Sequence, residues 1–263
     1  INFRVRPLKL NFFNKSIEEK NNLFHGKNII SILNSTINTK YNIKKKSIVF
    51  ASDDSKIGNS KTSYNGELSL NPFNLNLNID IEDYKIFNLL NENSVFVELI
   101  KSDLFFNENI SINTSIAINS NSKRNIFQKA KINFNIINGK INLNNTKFIN
   151  NKIGSLELNG SNLFTKNNEM LLNTSVLIDI IDSGQLFSLL NTDKRSRKEI
   201  KKILINLDYN FLLSEIEFNS LKIDKKEVSV DLLTLIKKLN TKSFNNLNKN
   251  RKLLNELFEA YEG

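Results

Sequence analysis

The sequence predicts a mainly β protein, and three observations carry that prediction. Apolar and polar residues alternate over long stretches, most clearly where Phe73, Leu75, Leu77, Ile79 and Ile81 are separated by Asn74, Asn76, Asn78 and Asp80. Such alternation sends one set of side chains to each face of a sheet, so one face is apolar and the other wet. The dipeptides Asn71-Pro72 and Asn138-Gly139 punctuate these stretches, the second being favoured in two-residue hairpins. A stretch also occurs twice: IDIEDYKIFNLLN at residues 79–91 returns as IDIIDSGQLFSLLN at 178–191, with Ile86, Phe87, Leu89 and Leu90 matched by Leu186, Phe187, Leu189 and Leu190. Self-similarity of this kind marks structures built by stacking similar units. The expected architecture is a long antiparallel sheet, with short helices after strands and two helices at the C-terminus.

Taken in order, residues 3–13 alternate as a strand that Pro7 confines to a sheet edge, because proline lacks the N–H an interior ladder needs. Residues 29–33 and 47–51 are short strands between Lys-rich turns, and 1–60 is the least defined part of the chain. GELSL, the Asn71-Pro72 turn and FNLNLNIDI form a hairpin, followed by a short helix over 84–90 capped by Asp83. Ile110, Ile112, Ile116 and Ile118 mark the next strand. Ile132, Phe134 and Ile136 mark another, turned at Asn138-Gly139 towards Ile141 and Leu143. Phe148, Ile153, Leu156 and Leu158 suggest short strands, with Gly154 and Gly160 near the turns. Residues 171–181 lead into the second repeated block. Beyond it Ile203, Ile205, Leu207, Tyr209 and Phe211 alternate with Leu204, Asn206, Asp208 and Asn210, and Ile216, Phe218, Leu221 and Ile223 extend the meander. Leu232, Leu235, Ile236 and Leu239 then fall at helical spacing, as do Leu254, Leu257, Phe258 and Tyr261. This gives a β region over 1–225, with repeat-like blocks around 64–91 and 156–191, and a helical cap over 226–263 that covers a sheet edge.

Composition narrows the function. The 263 residues have no Cys and no Trp, so disulfides, Cys-based metal sites and thiol nucleophiles are excluded. An AT-rich coding sequence accounts for the abundance of Asn. No apolar run approaches the roughly 18 residues of a membrane-crossing helix. The absence of an initiator Met at Ile1 leads us to expect a fragment or a processed form. The formal charge of +10 suggests an acidic partner, nucleic acid or an anionic membrane surface, while the basic runs at 44–46 and 194–198 read as solvated loops. His25 is the sole histidine and reads as a surface residue with no acid cluster near it in sequence. The pairs Glu18-Glu19, Asp53-Asp54 and Glu82-Asp83 would point to opposite faces on a strand. There is no glycine-rich phosphate loop. The Phe residues sit in alternating strands, where a core explains them better than base stacking. The sequence therefore argues against an enzyme, a cofactor, a metal and a nucleic-acid partner.

From about residue 64 onward the order of features resembles the AsmA-like superfamily, the bacterial envelope proteins of the AsmA, TamB and YhdP type. The residues that carry the resemblance are GELSLNPFNLNLNIDI, the run FNIINGKINLNNTKFINNKIGSLELNGSNLF (134–164) and the passage IDIIDSGQLFSLLNTDKRSRKEIKKILINLDYNFLL (178–213). The family's amino-terminal membrane anchor is missing from this chain. The resemblance implies a long sheet curled into an open, apolar-lined groove. It further implies a periplasmic protein anchored to the inner membrane through a missing N-terminal segment, with phospholipid as cargo and other envelope proteins as partners in outer-membrane biogenesis. The groove floor would then comprise Leu75, Leu77, Ile79, Ile132, Phe134, Ile136, Ile141, Leu143, Ile203, Ile205, Leu207 and Phe211. Read from alternation alone, the same positions suit the closed core of a β-sandwich or barrel, and a structural envelope scaffold with a filled core and no lipid is the competing expectation.

Overall fold

The computed structural model describes residues 2–5, 8–19, 23–32, 34–86, 106–121, 125–166, 169–210, 213 and 215–227, with 234, 255, 256 and 258. Among these residues the chain is mainly β, with one complete α-helix and one 3-10 turn. It divides into two compact units, Ile1–Ile141 and Asn142–Gly263. This boundary falls inside the stretch that the sequence reads as one β region over 1–225.

The first unit is a ladder of β1 (Asn2–Val5), β2 (Leu8–Glu19), β3 (Leu23–Ile32), β4 (Ser35–Ile43), β5 (Ser47–Ile57), β6 (Ser60–Leu70), β7 (Phe73–Glu82), β8 (Ile110–Asn119) and β9 (Lys129–Ile137), each hydrogen-bonded to the next. Among the described residues β1 pairs with β2 alone. Pro7 falls between β1 and β2, where the sequence had one strand running through. The hairpin between β9 and β10 (Lys140–Asn142) turns at Asn138 and Gly139, whose φ values of 51° and 68° are those of the expected type I′ turn. The Asn71–Pro72 peptide between β6 and β7 is cis.

One pairing departs from an all-antiparallel sheet. β7 and β8 run parallel, with Phe73 beside Ile110 and Ile79 beside Ile116. A parallel neighbour requires the chain to return along the strand through a crossover of a dozen or more residues, and residues 83–109 provide that length. Alternation alone carries no information on strand direction, so the sequence could not show this.

The second unit contains β11 (Thr146–Asn150), β12 (Gly154–Lys166), β13 (Glu169–Ile180), α1 (Ser183–Leu190), a 3-10 turn (Lys194–Ser196), β14 (Lys202–Asn210), β15 (Glu215–Ile223) and β16 (Lys226–Glu227). Its neighbouring strands pair antiparallel. Ile153, read as a strand residue, lies instead in the turn before β12, where its carbonyl accepts the N–H of Ile181 at 2.8 Å.

The second copy of the repeated stretch folds as its sequence predicts. β13 ends at Ile180, and the Asp182 carboxylate accepts the Gln185 N–H at 3.0 Å to cap α1. Asn191 closes the helix in the left-handed region with φ 58°. Asp182→Ala leaves one of the helix's first N–H groups without a partner and should cost about 1 kcal/mol, read as a lower chemical-denaturation midpoint. In the first copy the strand also ends before the acid, but Asp83 has φ 54° and its carboxylate accepts the Asn121 N–H at 3.0 Å. The helix expected over 84–90 lies largely outside the described residues. So do the C-terminal helices, apart from positions 234, 255, 256 and 258.

The wet faces carry the asparagines. In the first unit Asn78 donates to Asn65 and Asn113 donates to Asn76 across neighbouring strands. In the second, Asn142 donates to Asn162, while Asn173 and Asn219 donate to the two carboxylate oxygens of Asp208 at 2.7 and 2.9 Å. Cross-strand pairs of this kind each contribute modestly to sheet stability, so the Asn content has a structural use whatever its genetic origin.

Candidate functional site

Register assembles the apolar face of the first unit from single residues contributed by each strand. One row runs Ile43, Ile48, Leu68, Leu75, Ile112 and Ile136. The next runs Tyr41, Phe50, Gly66, Leu77, Thr114 and Phe134, and a third continues Tyr64, Ile79, Ile116 and Ile132. Directly opposed residues share a face. The structure therefore brings Leu75, Leu77, Ile79, Ile132, Phe134 and Ile136 together, as the alternation in their two strands required, with β8 between them.

These six are not equivalent. Ile132, Phe134 and Ile136 are buried, as is Ile141, whereas Leu75, Leu77 and Ile79 are only partly buried. The same partial burial continues through Leu68, Tyr64, Phe50, Ile48, Ile43 and Tyr41. The Phe50 ring lies over Gly66, where a Cβ would stand 2.5 Å from the ring. The ring thereby covers backbone that a side chain would otherwise shield.

One side of this face is lined with hydroxyls instead of hydrocarbon. Ser52, Ser55, Ser60 and Thr62 are buried, and Ser52 and Ser55 hydrogen-bond to each other at 2.6 Å. Tyr64 donates to the Asn38 carbonyl at 3.1 Å. Each buried hydroxyl is thus paired, as burial of a polar group demands.

In the second unit the predicted residues meet a different environment. Ile203 is buried, with Ile205 and Leu207 packed beside it, in a cluster formed by Ile180, Phe187, Ile200, Phe218, Leu221, Ile223 and Phe258. The Phe187 and Phe258 rings meet edge to face, 5.2 Å apart at 88°. Asn255 fastens this contact by donating to the Leu190 carbonyl and accepting from Thr192. Ile203 is therefore buried in a core with Phe187 of α1 and Phe258, while Ile205 and Leu207 pack at its side and are only partly buried. Leu143 lies in the link after β10, its N–H bonded to the Ser161 carbonyl at 3.0 Å. Phe211 lies outside the described residues.

Asp53 and Asp54 occupy a β-bulge between Ser52 and Ser55, where Asp53 pairs with Lys40 at 3.3 Å. The basic stretch 194–198 is partly structural, since the Arg197 guanidinium donates twice to the Thr192 carbonyl. Burial raises the Tyr84 phenol above its ordinary value. Among the described residues no group of His, Asp or Glu side chains could hold a metal ion, and no helix is long and apolar enough to cross a membrane.

Sequence reasoning missed one concentration of charge. Lys15, Lys27 and Lys40 are directly opposed on β2, β3 and β4. The signal was unreadable without register, because the three lie far apart in sequence and β4 went unrecognised. Comparison with protein-family models, curated proteins and solved structures finds no match.

Proposed function

We propose that the first unit shelters the acyl chains of phospholipid along its apolar face, within a bacterial envelope protein that takes part in lipid transport between the inner and outer membranes. The observation that supports this reading most is the partly exposed apolar surface formed by Ile43, Ile48, Phe50, Leu68, Leu75, Leu77 and Ile79. Contiguous apolar surface of this kind on a protein otherwise rich in polar side chains marks a ligand, partner or membrane contact. A diacyl lipid exposes roughly thirty methylenes to water at about 0.8 kcal/mol each, so unassisted transfer faces a barrier on the order of 20 kcal/mol. A sheet face of near-equivalent Leu and Ile positions removes much of that cost and presents only small barriers to sliding. The resemblance to AsmA-like proteins supports the compartment and the inner-membrane attachment.

The test is lipid extraction and mass spectrometry of the purified chain. Phospholipid should accompany the protein and fall by at least about tenfold in Leu77→Asp, given the cost of placing a carboxylate against hydrocarbon. Asn76→Asp, on the opposite face of the same strand, should retain it, and far-UV circular dichroism should show both variants folded. A folded, lipid-free wild-type chain would favour the structural scaffold instead. The buried cluster around Ile203 and Phe187 supports that structural role for part of the second unit, and the test of lipid contact is placed on Leu75, Leu77 and Ile79.

A further inference from the structure

The face of the first unit opposite the apolar one contains a basic cleft. Lys15 opposes Lys27, and Lys27 opposes Lys40, so three lysines stand side by side on adjacent strands. Directly opposed residues of antiparallel strands are about 5 Å apart at Cα, and like charges in those positions repel. Among the described residues one acid compensates: Asp53 pairs with Lys40 at 3.3 Å, both side chains being mostly exposed. Lys15 and Lys27 have no such partner among the described residues. The row borders a cleft of about 530 Å³ that is also lined by Ile17, His25, Asn42, Val49 and Ala51, with Gly26, Tyr41 and Phe50 from the apolar-face register completing it.

Uncompensated charge alone would describe a solvated surface, but three neighbours of this row on the same face, Phe13, Ile17 and Ile29, are large, apolar and exposed. On one side Phe13 opposes Ile29 on the same face, 61% and 40% exposed, and on the other Ile17 is 52% exposed. Large hydrocarbon side chains flanking lysines suit a ligand that is anionic at one end and greasy at the other. A free inorganic anion would use the lysines and leave Phe13, Ile17 and Ile29 without a role.

We propose that this cleft binds the phosphate of an anionic phospholipid, with Lys15, Lys27 and Lys40 on the phosphate and Ile17, Val49 and the flanking Phe13 and Ile29 against the adjoining hydrocarbon. The site does not depend on the apolar-face reading. Its lysines lie on the other face of the same strands, as the continuation of the Lys40, Ala51, Asn65 and Asn78 row shows, and variants of Leu77 and of the lysines distinguish failure of one reading from failure of the other.

His25 provides the measurement. It lines the cleft and is the sole histidine of the chain, so histidine-labelled protein gives one set of ring resonances in the site. Titration of the full chain with water-soluble dihexanoyl phosphatidate should shift those resonances saturably. Inorganic phosphate should require at least about tenfold higher concentration, because it forgoes the hydrocarbon contact. Dihexanoyl phosphatidylcholine, zwitterionic with the same tails, should bind more weakly than phosphatidate. Combined Lys15→Gln, Lys27→Gln and Lys40→Gln should weaken phosphatidate at least about tenfold through loss of charge-assisted contacts. Combined Lys44→Gln, Lys45→Gln and Lys46→Gln removes the same charge elsewhere in the unit and should not.

Relief of repulsion should leave the Lys15, Lys27 and Lys40 variant folded, with a denaturation midpoint no lower than wild type. If it unfolds, Lys27→Gln alone, at the centre of the row, serves as the variant. Equal loss in both triple variants would reduce the effect to net charge and overturn the proposal. Phosphate binding as tightly as phosphatidate would overturn the lipid as its source. Tighter, salt-sensitive binding of a DNA oligonucleotide to the same lysines would reassign the cleft to nucleic acid. Retention of this binding by Leu77→Asp would separate the cleft from the apolar face.

Discussion

Replacing Phe187 by Ala should destabilise the second unit by about 3–5 kcal/mol, the range for emptying a buried aromatic position. Phe187 is 1% exposed and packs edge-on against Phe258 above Ile180, Ile200 and Ile203. Its removal takes away both the transfer free energy of the ring and the aromatic pair, and the space it leaves is bounded by strands that cannot close up without breaking their ladder. Hydrogen exchange locates the effect: protection should fall across β13, β14 and β15, while β6, β7 and β8 keep theirs. Leu77→Ala in the first unit should cost less, about 1–2 kcal/mol, because its side chain is only partly withdrawn from water. The contrast bears on function. If α1 is a cover that lifts to admit a guest over Ile205 and Leu207, Phe187→Ala should be tolerated with little loss of stability. A large loss means that Phe187 belongs to a fixed core over Ile203 and is not part of a cover that lifts.

The sequence displayed the strands best where one face is uniformly apolar. β7, β9 and β14 were legible because Leu75, Leu77 and Ile79, Ile132, Phe134 and Ile136, and Ile203, Ile205 and Leu207 hold period two without interruption. β4 was missed and β5 and β6 were cut short because their inward positions include Thr39, Ser52, Ser55 and Thr62. These hydroxyls are buried or partly buried and satisfied by one another or by backbone, so a core-facing row can look polar in sequence. The bulge at Asp53 and Asp54 also shifts the phase, which ends any alternation count. In the candidate site, alternation identified which residues share a strand face. It could not say what lies over that face, and Leu77 and Ile203 look alike in sequence although one is left partly open and the other is buried in a core. The lysine row failed to show for a related reason, since a cross-strand neighbour is defined by register and not by spacing.

Gly154→Ala should be the most damaging glycine substitution in the second unit, costing on the order of 3 kcal/mol or more. Gly154 opens β12 opposite Ile180 with φ at 143°, and a Cβ there would stand 2.0 Å from the Asp179 carbonyl oxygen. The obstruction is backbone, which cannot rotate away as a side chain does. Relief requires the start of β12 to separate from the end of β13. That separation would also disturb the Ile153 carbonyl that holds Ile181, and with it the Asp182 cap from which α1 runs to Phe187. Gly160→Ala is the control: φ is 59° and nothing lies within 4 Å of the added Cβ. It should cost only the left-handed strain of a non-glycine residue, about 1–2 kcal/mol. Denaturation midpoints should therefore fall in the order wild type, Gly160→Ala, Gly154→Ala. Equal midpoints for the two variants would mean that the close approach of β12 to β13 is not needed to set the helix over its core.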